Sequence, residues 1–300
     1  MFLNLKNLKT ISRGKTKAVK PAKQDIIINN GSKSYNLSNS KGLFLIAGPC
    51  VVESQKLCMD TAKRLKDITL RLNIPFIFKA SYKKANRTSG SSFRSIGVME
   101  SLDILGNIRE KLGIPVLTDI HSEVEAEIAS EYVDVLQIPA FLSRQSELLE
   151  AAAETGRIVN IKKGQFLSPY DMVYQVNKVK AAGNNKIMLT ERGTTFGYNN
   201  LVVDMRSLEI MKSFGCPVVF DATHSVQMPS KNAGVSGGNP EYIEPLSKAA
   251  IAVGINGIFI ETHPNPAKAL SDASSMLKLD KIEVLLKKLL AIHKTVNSKL

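Results

Sequence analysis

Short apolar runs alternate with helical stretches from residue 43 onward, and this alternation constrains the fold more than any other feature. Most gaps between the runs show apolar residues at the helical period of 3.6. The runs are continuously apolar, as in parallel strands covered on both faces. Eight runs have the length and β-branched content of strands: Leu43–Ala47, Pro75–Lys79, Pro115–Thr118, Val133–Ile138, Ile158–Lys162, Lys186–Thr190, Pro217–Phe220 and Gly257–Ile260. We therefore predict a (β/α)8 TIM barrel, an α/β fold of about 250 residues.

The other α/β candidate is a doubly wound sheet, but the sequence has neither a G-x-G-x-x-G motif nor a P-loop to support it. Residues 25–37 place Asn30-Gly31 between two apolar segments, which predicts a β-hairpin. We expect residues 25–300 to form a single barrel domain that includes this hairpin. Residues 1–24 are expected to be a basic, disordered extension, with organelle targeting as the alternative.

Charge and composition limit the function classes. The net charge is +13, and residues 1–23 contribute seven Lys or Arg and no acid. Nucleic-acid binding is the non-enzyme alternative, but aromatic residues are 6% with no Trp, so stacking platforms are scarce. No apolar run reaches the roughly 18 residues of a membrane span. Three cysteines without a C-x-x-C pair favour a reducing compartment, which we take to be the cytoplasm.

Polar residues follow nearly every predicted strand. In a barrel, the carboxyl ends of the strands form the active-site face. Burying unpaired charge is costly, so a ring of polar residues at these positions is not expected by chance. For example, the run Pro217–Phe220 ends in Asp221 and His224. The full ring is Cys50, Lys79, Asp119, Gln137, Lys162 with Lys163, Arg192, His224 and Glu261.

Together with Lys84, Arg87 and Asp272, which lie farther along the chain after their strands, this ring has two chemical halves. One is cationic and fits a multiply anionic ligand such as a phosphate ester: Lys79, Lys84, Arg87, Lys162 and Arg192. The other offers the ligand types of a divalent transition metal: Cys50, His224, Glu261 and Asp272.

Each metal-type residue also has a structural interpretation. Cys50 alone fits a small buried apolar residue, as we interpret Cys58 and Cys216. His224 fits a hydrogen-bonded core imidazole, and Asp272 fits a helix cap. Of Lys162 and Lys163, one can point inward while the other is solvated, and Glu261 can pair with His263.

Seven segments, in this order, carry a family resemblance: Ile46–Ser54, Lys79–Arg87, Gln137–Arg144, Asn160–Phe166, Glu191–Met205, Asp221–Gln227 and Glu261–Asp272. They resemble the 3-deoxy-D-manno-octulosonate 8-phosphate synthase family. The resemblance implies a barrel whose bottom the hairpin closes, and a homotetramer. It also implies condensation of phosphoenolpyruvate with D-arabinose 5-phosphate for lipopolysaccharide biosynthesis.

The sister family, 3-deoxy-7-phosphoheptulonate synthase, uses erythrose 4-phosphate and is the alternative. It typically reads Lys-Pro-Arg-Thr where this chain has Ala85-Asn86-Arg87-Thr88. Asn86 favours the octulosonate family, whereas Thr88 replaces its usual Ser and leaves the choice of aldose open. Metal-independent members carry Asn in place of Cys50, so the resemblance implies the metal-dependent class, with the metal (Zn, Fe, Mn or similar) unassigned.

The resemblance also implies roles for individual residues. Cys50, Lys84, Asp119 and His224 would act in catalysis, and the metal ligands would be Cys50, His224, Glu261 and Asp272. Phosphoenolpyruvate would be held by Lys79, Lys84, Gln137, the backbone of Ala140, Lys162 and Arg192. The aldose phosphate would contact Asn86, Arg87, Thr88 and Ser236, with Arg144 reaching in from a neighbouring subunit. We expect residues 229–241 to form a mobile lid.

Overall fold

The computed structural model describes residues 25–38, 42–85, 93–198, 200–232 and 235–298, with the side chains of 229–232, 235 and 236 left aside. The basic segment 1–24 lies outside these residues. The barrel strands are β1 (Phe44–Gly48), β2 (Phe76–Lys79), β3 (Val116–Asp119), β4 (Val135–Ile138), β5 (Ile158–Lys162), β6 (Ile187–Glu191), β7 (Val218–Asp221) and β8 (Gly257–His263). The helices are α1 (Gln55–Leu72), α2 (Val98–Leu112), α3 (Glu123–Ser130), α4 (Ser146–Glu154), α5 (Met172–Ala181), α6 (Arg206–Lys212), α7 (Ile243–Val253) and α8 (Ile282–Asn297).

The eight strands form one closed parallel sheet. Each strand pairs with the next along the chain, and β8 pairs with both β7 and β1, which closes the barrel. All eight strands coincide with the predicted runs to within a few residues. The predicted (β/α)8 barrel is therefore confirmed.

The barrel interior and the N-terminal hairpin share one apolar cluster. Ile26, Ile28 and Leu37 of the hairpin segment pack with strand residues such as Phe44 and Ile158. The hairpin is also tied to the barrel by a hydrogen bond from Gly31 N to Gly113 O of 2.7 Å. These contacts lie at the strand starts, so the hairpin closes the end of the barrel opposite the predicted site.

The hairpin turn differs by one residue from the prediction. Asn30 pairs with Lys33, so the two-residue loop is Gly31-Ser32 and not Asn30-Gly31. The reason is that Asn30 is buried and donates its side-chain amide to Phe76 O at 3.1 Å. Gly31 then takes the left-handed conformation, with φ of 61°.

A second apolar cluster lies between the sheet and the surrounding helices. Helix α8 shows the pattern clearly, because Ile282, Leu285, Leu286 and Leu289 are buried on its inner face. The helices begin and end at capping residues where the sequence provides them. For example, the N-cap Ser54 accepts a hydrogen bond from Leu57 N at 3.2 Å.

The predicted lid, residues 229–241, is described in part. Gln227–Asn232 and Val235–Gly238 pair as antiparallel strands. A Cβ atom on Gly238 would lie 2.8 Å from Ser274 O, so the second strand runs directly against the segment that carries Asp272. Mobility of this region stays a prediction. None of the helices in the described ranges combines the length and apolar content that a bilayer span requires.

Candidate active site

A cavity opens at the carboxyl ends of the barrel strands, and most of the predicted ring contributes to it. Its polar wall includes Lys79 from β2, Asp119 from β3 and Lys162 from β5. The full lining is Lys79, Lys83, Lys84, Ala85, Asp119, His121, Pro139, Ala140, Phe141, Leu142, Lys162, Gln165, Arg192 and His224. The structure therefore brings together side chains that are up to 145 positions apart in the chain, counted from Lys79 to His224.

Three predicted metal ligands form one cluster beside this cavity. The ligand atoms of Cys50, Glu261 and Asp272 all lie within 4.8 Å of one another. Cys50 is fully buried and donates its thiol to Asp272 Oδ2 at 2.8 Å. Burial, together with the carboxylates of Asp272 and Glu261, raises the pKa of this thiol well above its ordinary value. Asp272 adopts a left-handed backbone, with φ of 48°.

His224 borders this cluster, and Asp221 determines its orientation. His224 Nδ1 lies 2.7 Å from Asp221 Oδ2, while His224 Nε2 lies 3.6 Å from Glu261 Oε2. Asp221 Oδ1 also accepts the backbone N–H of His224 at 2.9 Å. Asp221, the last residue of β7, thus holds the turn that follows the strand through this hydrogen bond. A carboxylate on Nδ1 leaves Nε2 as the nitrogen that faces the cluster.

The buried lysines balance the buried carboxylates. Lys162 Nζ lies 2.6 Å from Asp221 Oδ2, and Lys79 Nζ donates to Glu261 Oε1 at 2.6 Å. Burial would raise the pKa of Asp221, but His224 and Lys162 hold it well below its usual range. For Lys84 burial would lower the pKa, but nearby Cys50 and carboxylates raise it. The site therefore keeps separated ionised groups in a space with little water.

A line of buried side-chain hydrogen bonds extends from Asp119 across the barrel wall. Asp119 accepts from Ser81 and from Gln137. Gln137 in turn accepts from Asn160 Nδ2 at 2.8 Å, and Asn160 accepts from Thr190 at 2.8 Å. Gln137, which we predicted to contact substrate, is engaged on both its amide atoms in this way. It helps to hold Asp119 in place, and its contact with phosphoenolpyruvate stays a prediction.

Arg192 is buried and has a guanidinium nitrogen available for an anion. Its Nη2 donates to Gln227 Oε1 at 2.9 Å. Its Nη1 is buried and has no hydrogen-bond partner within the part of the chain that is described. A buried donor without a partner is costly, and a bound anion would satisfy it.

Lys163 is neither solvated nor in the cavity. It is fully buried behind the barrel wall, where Nζ donates to Thr194 Oγ1 at 2.9 Å and lies 3.5 Å from Glu191 Oε1. Glu191 also accepts from Ser207 at 2.6 Å. Lys162 and Lys163 alternate across the strand, so one serves the cavity and the other an ion pair outside the barrel. Similarly, His263 does not pair with Glu261, because its Nε2 lies 3.7 Å from Glu53 Oε2.

The remaining predicted site residues divide into two groups. Ala140 is buried at the cavity wall, whereas Arg144 is exposed two residues before α4 and does not line this cavity within the single chain. Asn86, Arg87 and Thr88 lie outside the described residues. The side chain of Ser236 is likewise outside them, so its role stays a prediction.

Sequence reasoning missed His121, which lines the cavity two residues after Asp119. His121 N and Nδ1 lie 2.9 and 3.0 Å from Glu125 Oε2. Tyr82 and Lys83 also donate to the Glu125 carboxylate. The available signal was the spacing Asp119-x-His121 at a strand end, since alternate residues can face the same side.

A larger groove lies at the opposite end of the barrel, between the hairpin and the strand starts. Several of its charged groups are engaged within the chain. Arg109 pairs with Asp134 at 3.1 Å, and Lys186 Nζ donates to Gly156 O at 2.8 Å. It has no counterpart of the cation and carboxylate arrangement found in the cavity at the carboxyl ends.

The donor set at the cluster fits a divalent transition metal. Thiolate, imidazole and carboxylate ligands are those that such ions bind in proteins. Glu261 Oε2 is buried and accepts no hydrogen bond from any described residue, so an acceptor atom beside Cys50 and Asp272 lacks a partner. The Cys50, Glu261 and Asp272 cluster is thus compatible with a metal site.

Comparison with known proteins agrees with this geometry. A relative from Geobacter metallireducens, called 2-dehydro-3-deoxyphosphooctonate aldolase, is 56% identical over 273 residues, which is 91% of this chain and 99% of the relative. Proteins of the same name from Nitrosococcus oceani and Stenotrophomonas maltophilia are 53% and 54% identical, over 88% and 86% of this chain and 94% of each relative. The family model described as the DAHP synthetase I family matches residues 25–298. The chain belongs to the DAHP synthetase I family.

Proposed function

We propose that this chain condenses phosphoenolpyruvate with D-arabinose 5-phosphate and water, giving 3-deoxy-D-manno-octulosonate 8-phosphate and phosphate for lipopolysaccharide biosynthesis. The observation that carries this proposal is the convergence of Lys79, Lys84, Lys162 and Arg192 on one cavity that also holds Asp119. Both substrates are phosphate esters, and such a cavity suits multiply anionic ligands. The name shared by the relatives at 53–56% identity supports the same reaction.

Phosphoenolpyruvate is proposed to lie against the cationic wall. Arg192 offers its Nη1, which has no hydrogen-bond partner among the described residues, and Lys162 and Lys79 add charge from β5 and β2. The backbone at Ala140 completes this subsite, and Gln137 supports it through Asp119. Because Lys162 is held by Asp221 and Lys79 by Glu261, both lysines are positioned before substrate arrives.

The aldose is proposed to lie at the mouth, toward Asn86, Arg87 and Thr88. Lys84 and Ala85, which directly precede this motif in the sequence, line the cavity. Ser236 and, from a neighbouring subunit, Arg144 would join the aldose phosphate. This last role goes with a proposed homotetramer. Arg144 is exposed on the single chain, which suits contact with another copy.

The proposed metal ligands are Cys50, His224, Glu261 and Asp272. A divalent ion bound there would supply a Lewis acid for the aldose oxygens. His224 is oriented for this by Asp221, which occupies Nδ1 and leaves Nε2 toward Glu261. Lys84 Nζ lies 3.8 Å from Asp272 Oδ2, so a cation of the chain reaches the edge of the same cluster.

The reaction joins C3 of phosphoenolpyruvate to the aldehyde carbon. The aldehyde oxygen gains a proton, water adds at C2, and phosphate leaves by cleavage of the C–O bond. Two substrates that repel each other must be aligned, so much of the rate is expected from positioning and from cationic screening. Lys84 keeps its proton because neighbouring anions raise its pKa. Asp119 stays ionised near the aldehyde because three lysines lower its pKa, although burial opposes this.

We propose further that residues 25–300 act as one domain in the cytoplasm, with residues 1–24 as a basic extension. The alternative substrate is erythrose 4-phosphate, which the names of the relatives do not favour.

Product analysis tests the proposal. Purified, Mn²⁺-loaded enzyme is incubated with phosphoenolpyruvate with and without arabinose 5-phosphate. We expect phosphate release only when the aldose is present, together with a product of the mass of an octulosonate phosphate. Absence of aldose-dependent phosphate release would contradict the proposal. The variant Lys162→Met is expected to lose activity, whereas Lys212→Met, which changes a half-buried lysine of α6 paired with Glu209 outside the cavity, is expected to keep it.

A further inference from the structure

The carboxylate of Glu125 receives hydrogen bonds from three residues that adjoin the cavity. It lies in the first turn of α3, where its backbone N–H is 3.4 Å from the N-cap Ser122. Its Oε1 accepts from Lys83, and its Oε2 accepts from Tyr82 and lies 3.0 Å from His121 Nδ1. Glu125, in the outer helix layer, is thus hydrogen-bonded to two segments of the cavity wall, one with Tyr82 and Lys83 and the other with His121.

These contacts determine the proton position on His121. An ionised carboxylate only accepts hydrogen bonds, so Nδ1 must carry the proton in this contact. The pKa of Glu125 is lowered because, although burial opposes it, Lys83, Tyr82 and His121 stabilise the ionised form. Burial lowers the pKa of His121, and the opposing charges of Asp119 and Glu125 do not reverse this. The ring is therefore neutral near pH 7, with Nε2 unprotonated.

We propose that Glu125 is a positioning residue for the condensation: it fixes the proton of His121 on Nδ1 and leaves Nε2 as a hydrogen-bond acceptor for the cavity. The partner of Nε2 would be an O–H group, from water or from a sugar hydroxyl. This inference rests on the proposed function, because it assigns His121 a contact with the reactants. The charged groups that face the His121 ring are Asp119, Glu125 and Lys83.

The same carboxylate separates the roles of two adjacent lysines. Lys83 Nζ is held by Glu125, whereas Lys84 Nζ lies 3.8 Å from Asp272. Tyr82, fully buried beside them, packs edge-on to the His121 ring with centroids 6.0 Å apart. Loss of Glu125 would therefore release both the imidazole and the segment that directs Lys84 inward.

Nitrogen NMR of full-length enzyme labelled with ¹⁵N-histidine tests the proton position directly. The chain has four histidines, and a His121→Gln sample assigns the relevant signals. We expect a protonated, pyrrole-type Nδ1 and an unprotonated, pyridine-type Nε2 for His121 near pH 7. Protonated Nε2, or a charged ring at that pH, would overturn the proposal. The spectrum needs no turnover, so this result is separate from success or failure of the proposed reaction.

Three variants connect the proton position with catalysis. Glu125→Gln keeps an acceptor for Nδ1, so the proton of His121 is expected to stay on Nδ1. Its kcat/KM is expected to stay within about 3-fold of wild type, a smaller change than complete removal of a hydrogen-bond partner causes. Its His121 titrates at lower pH in the same spectra, since a carboxylate that favours the charged ring is gone. Glu125→Leu removes the acceptor, so we expect the His121 proton to be shared between Nδ1 and Nε2. We expect kcat/KM to fall by about 10- to 100-fold, roughly the range for removing the partner of a metal-ligating histidine.

Glu123→Gln is the matched control, because Glu123 is exposed in the same helical turn. It is expected to keep wild-type spectra and kinetics. Equal losses in Glu125→Gln and Glu125→Leu would overturn the proposal, since a structural role for the charge alone would explain them. If Glu125→Leu does not fold, the Glu125→Gln titration and the wild-type spectrum still decide it.

Discussion

Asp221 Oδ2 lies 2.7 Å from His224 Nδ1 and 2.6 Å from Lys162 Nζ, so one buried carboxylate orients a proposed metal ligand and neutralises a proposed substrate-binding lysine. His224 Nε2 is then the nitrogen directed at Glu261. Three strands of the barrel, β5, β7 and β8, meet in this arrangement.

Asp221→Asn is expected to impair both metal binding and stability. The neutral amide leaves Lys162 buried without its counter-charge, which costs about 3–5 kcal/mol in the free energy of unfolding. Metal affinity is expected to fall about 10- to 100-fold, because the orienting carboxylate is lost. Urea unfolding and metal analysis measure the two effects. Asp204→Asn, which removes an exposed carboxylate paired with Arg206, is the control and is expected to change neither.

Cys50→Ala is expected to abolish metal content and activity together, because it removes the only sulfur of the proposed ligand set. Metal analysis after dialysis, alongside the phosphate-release assay, measures this. Cys58→Ala is the control, since Cys58 is equally buried but packs in the apolar cluster outside the barrel. Full activity of Cys50→Ala in the presence of a chelator would refute the metal assignment. Cys50→Asn is expected to give weak turnover that needs no metal.

The charge of Asp119 is expected to make stability fall in acid. Burial opposes its ionisation, but Lys79, Lys84 and Lys162 lower its pKa, so the folded state takes up its proton at lower pH than the unfolded chain. Its contribution to the free energy of unfolding is present above about pH 4, the ordinary pKa of an Asp side chain. This contribution is lost as the pH falls below that value. Asp119→Asn is expected to flatten this slope by up to about 1.4 kcal/mol per pH unit.

Urea unfolding of wild type and Asp119→Asn at pH 3 to 6, roughly the range around the ordinary Asp value, measures the slope. The exposed Asp280 supplies a control, and Asp280→Asn is expected to keep the wild-type slope. Parallel curves for wild type and Asp119→Asn would mean that Asp119 is not held ionised in the fold.

Lys163→Met is expected to destabilise the protein by about 3–5 kcal/mol, because it leaves Glu191 buried without its cation. Lys212→Met removes a lysine from a surface pair with Glu209 and is expected to cost less than about 1 kcal/mol. Chemical unfolding compares the two. Glu191 also accepts from Gly193 N at 2.7 Å and from Ser207 Oγ at 2.6 Å, and a small effect for Lys163→Met would show that these two hydrogen bonds alone satisfy it.

Local sequence patterns predicted the barrel because each strand is a short apolar run with a polar residue at its end. The same reasoning identified Cys50 and Glu261, which are far apart in the chain but lie at or just after the carboxyl ends of β1 and β8, whereas Asp272 lies in the loop that follows β8. Closure of the barrel brings equivalent positions together, so the site followed from the fold.

The supporting side chains could not be predicted in this way. Asn160 lies inside an apolar strand, and its partners Gln137 and Thr190 come from the two neighbouring strands. Lys163 is next to Lys162, and only the direction of the strand decides which of them enters the cavity. The turn at Gly31 depends on a contact between Asn30 and β2, which no local pattern contains.

Competition between the two aldoses tests the central claim most directly. Arabinose 5-phosphate and erythrose 4-phosphate are offered together with phosphoenolpyruvate, and the two products are quantified by mass spectrometry. We predict that the pentose is preferred by about 100-fold or more in kcat/KM, since a site built for a longer polyol leaves polar groups unpaired with the shorter one. Equal use of both aldoses, or preference for the tetrose, would contradict the proposed function.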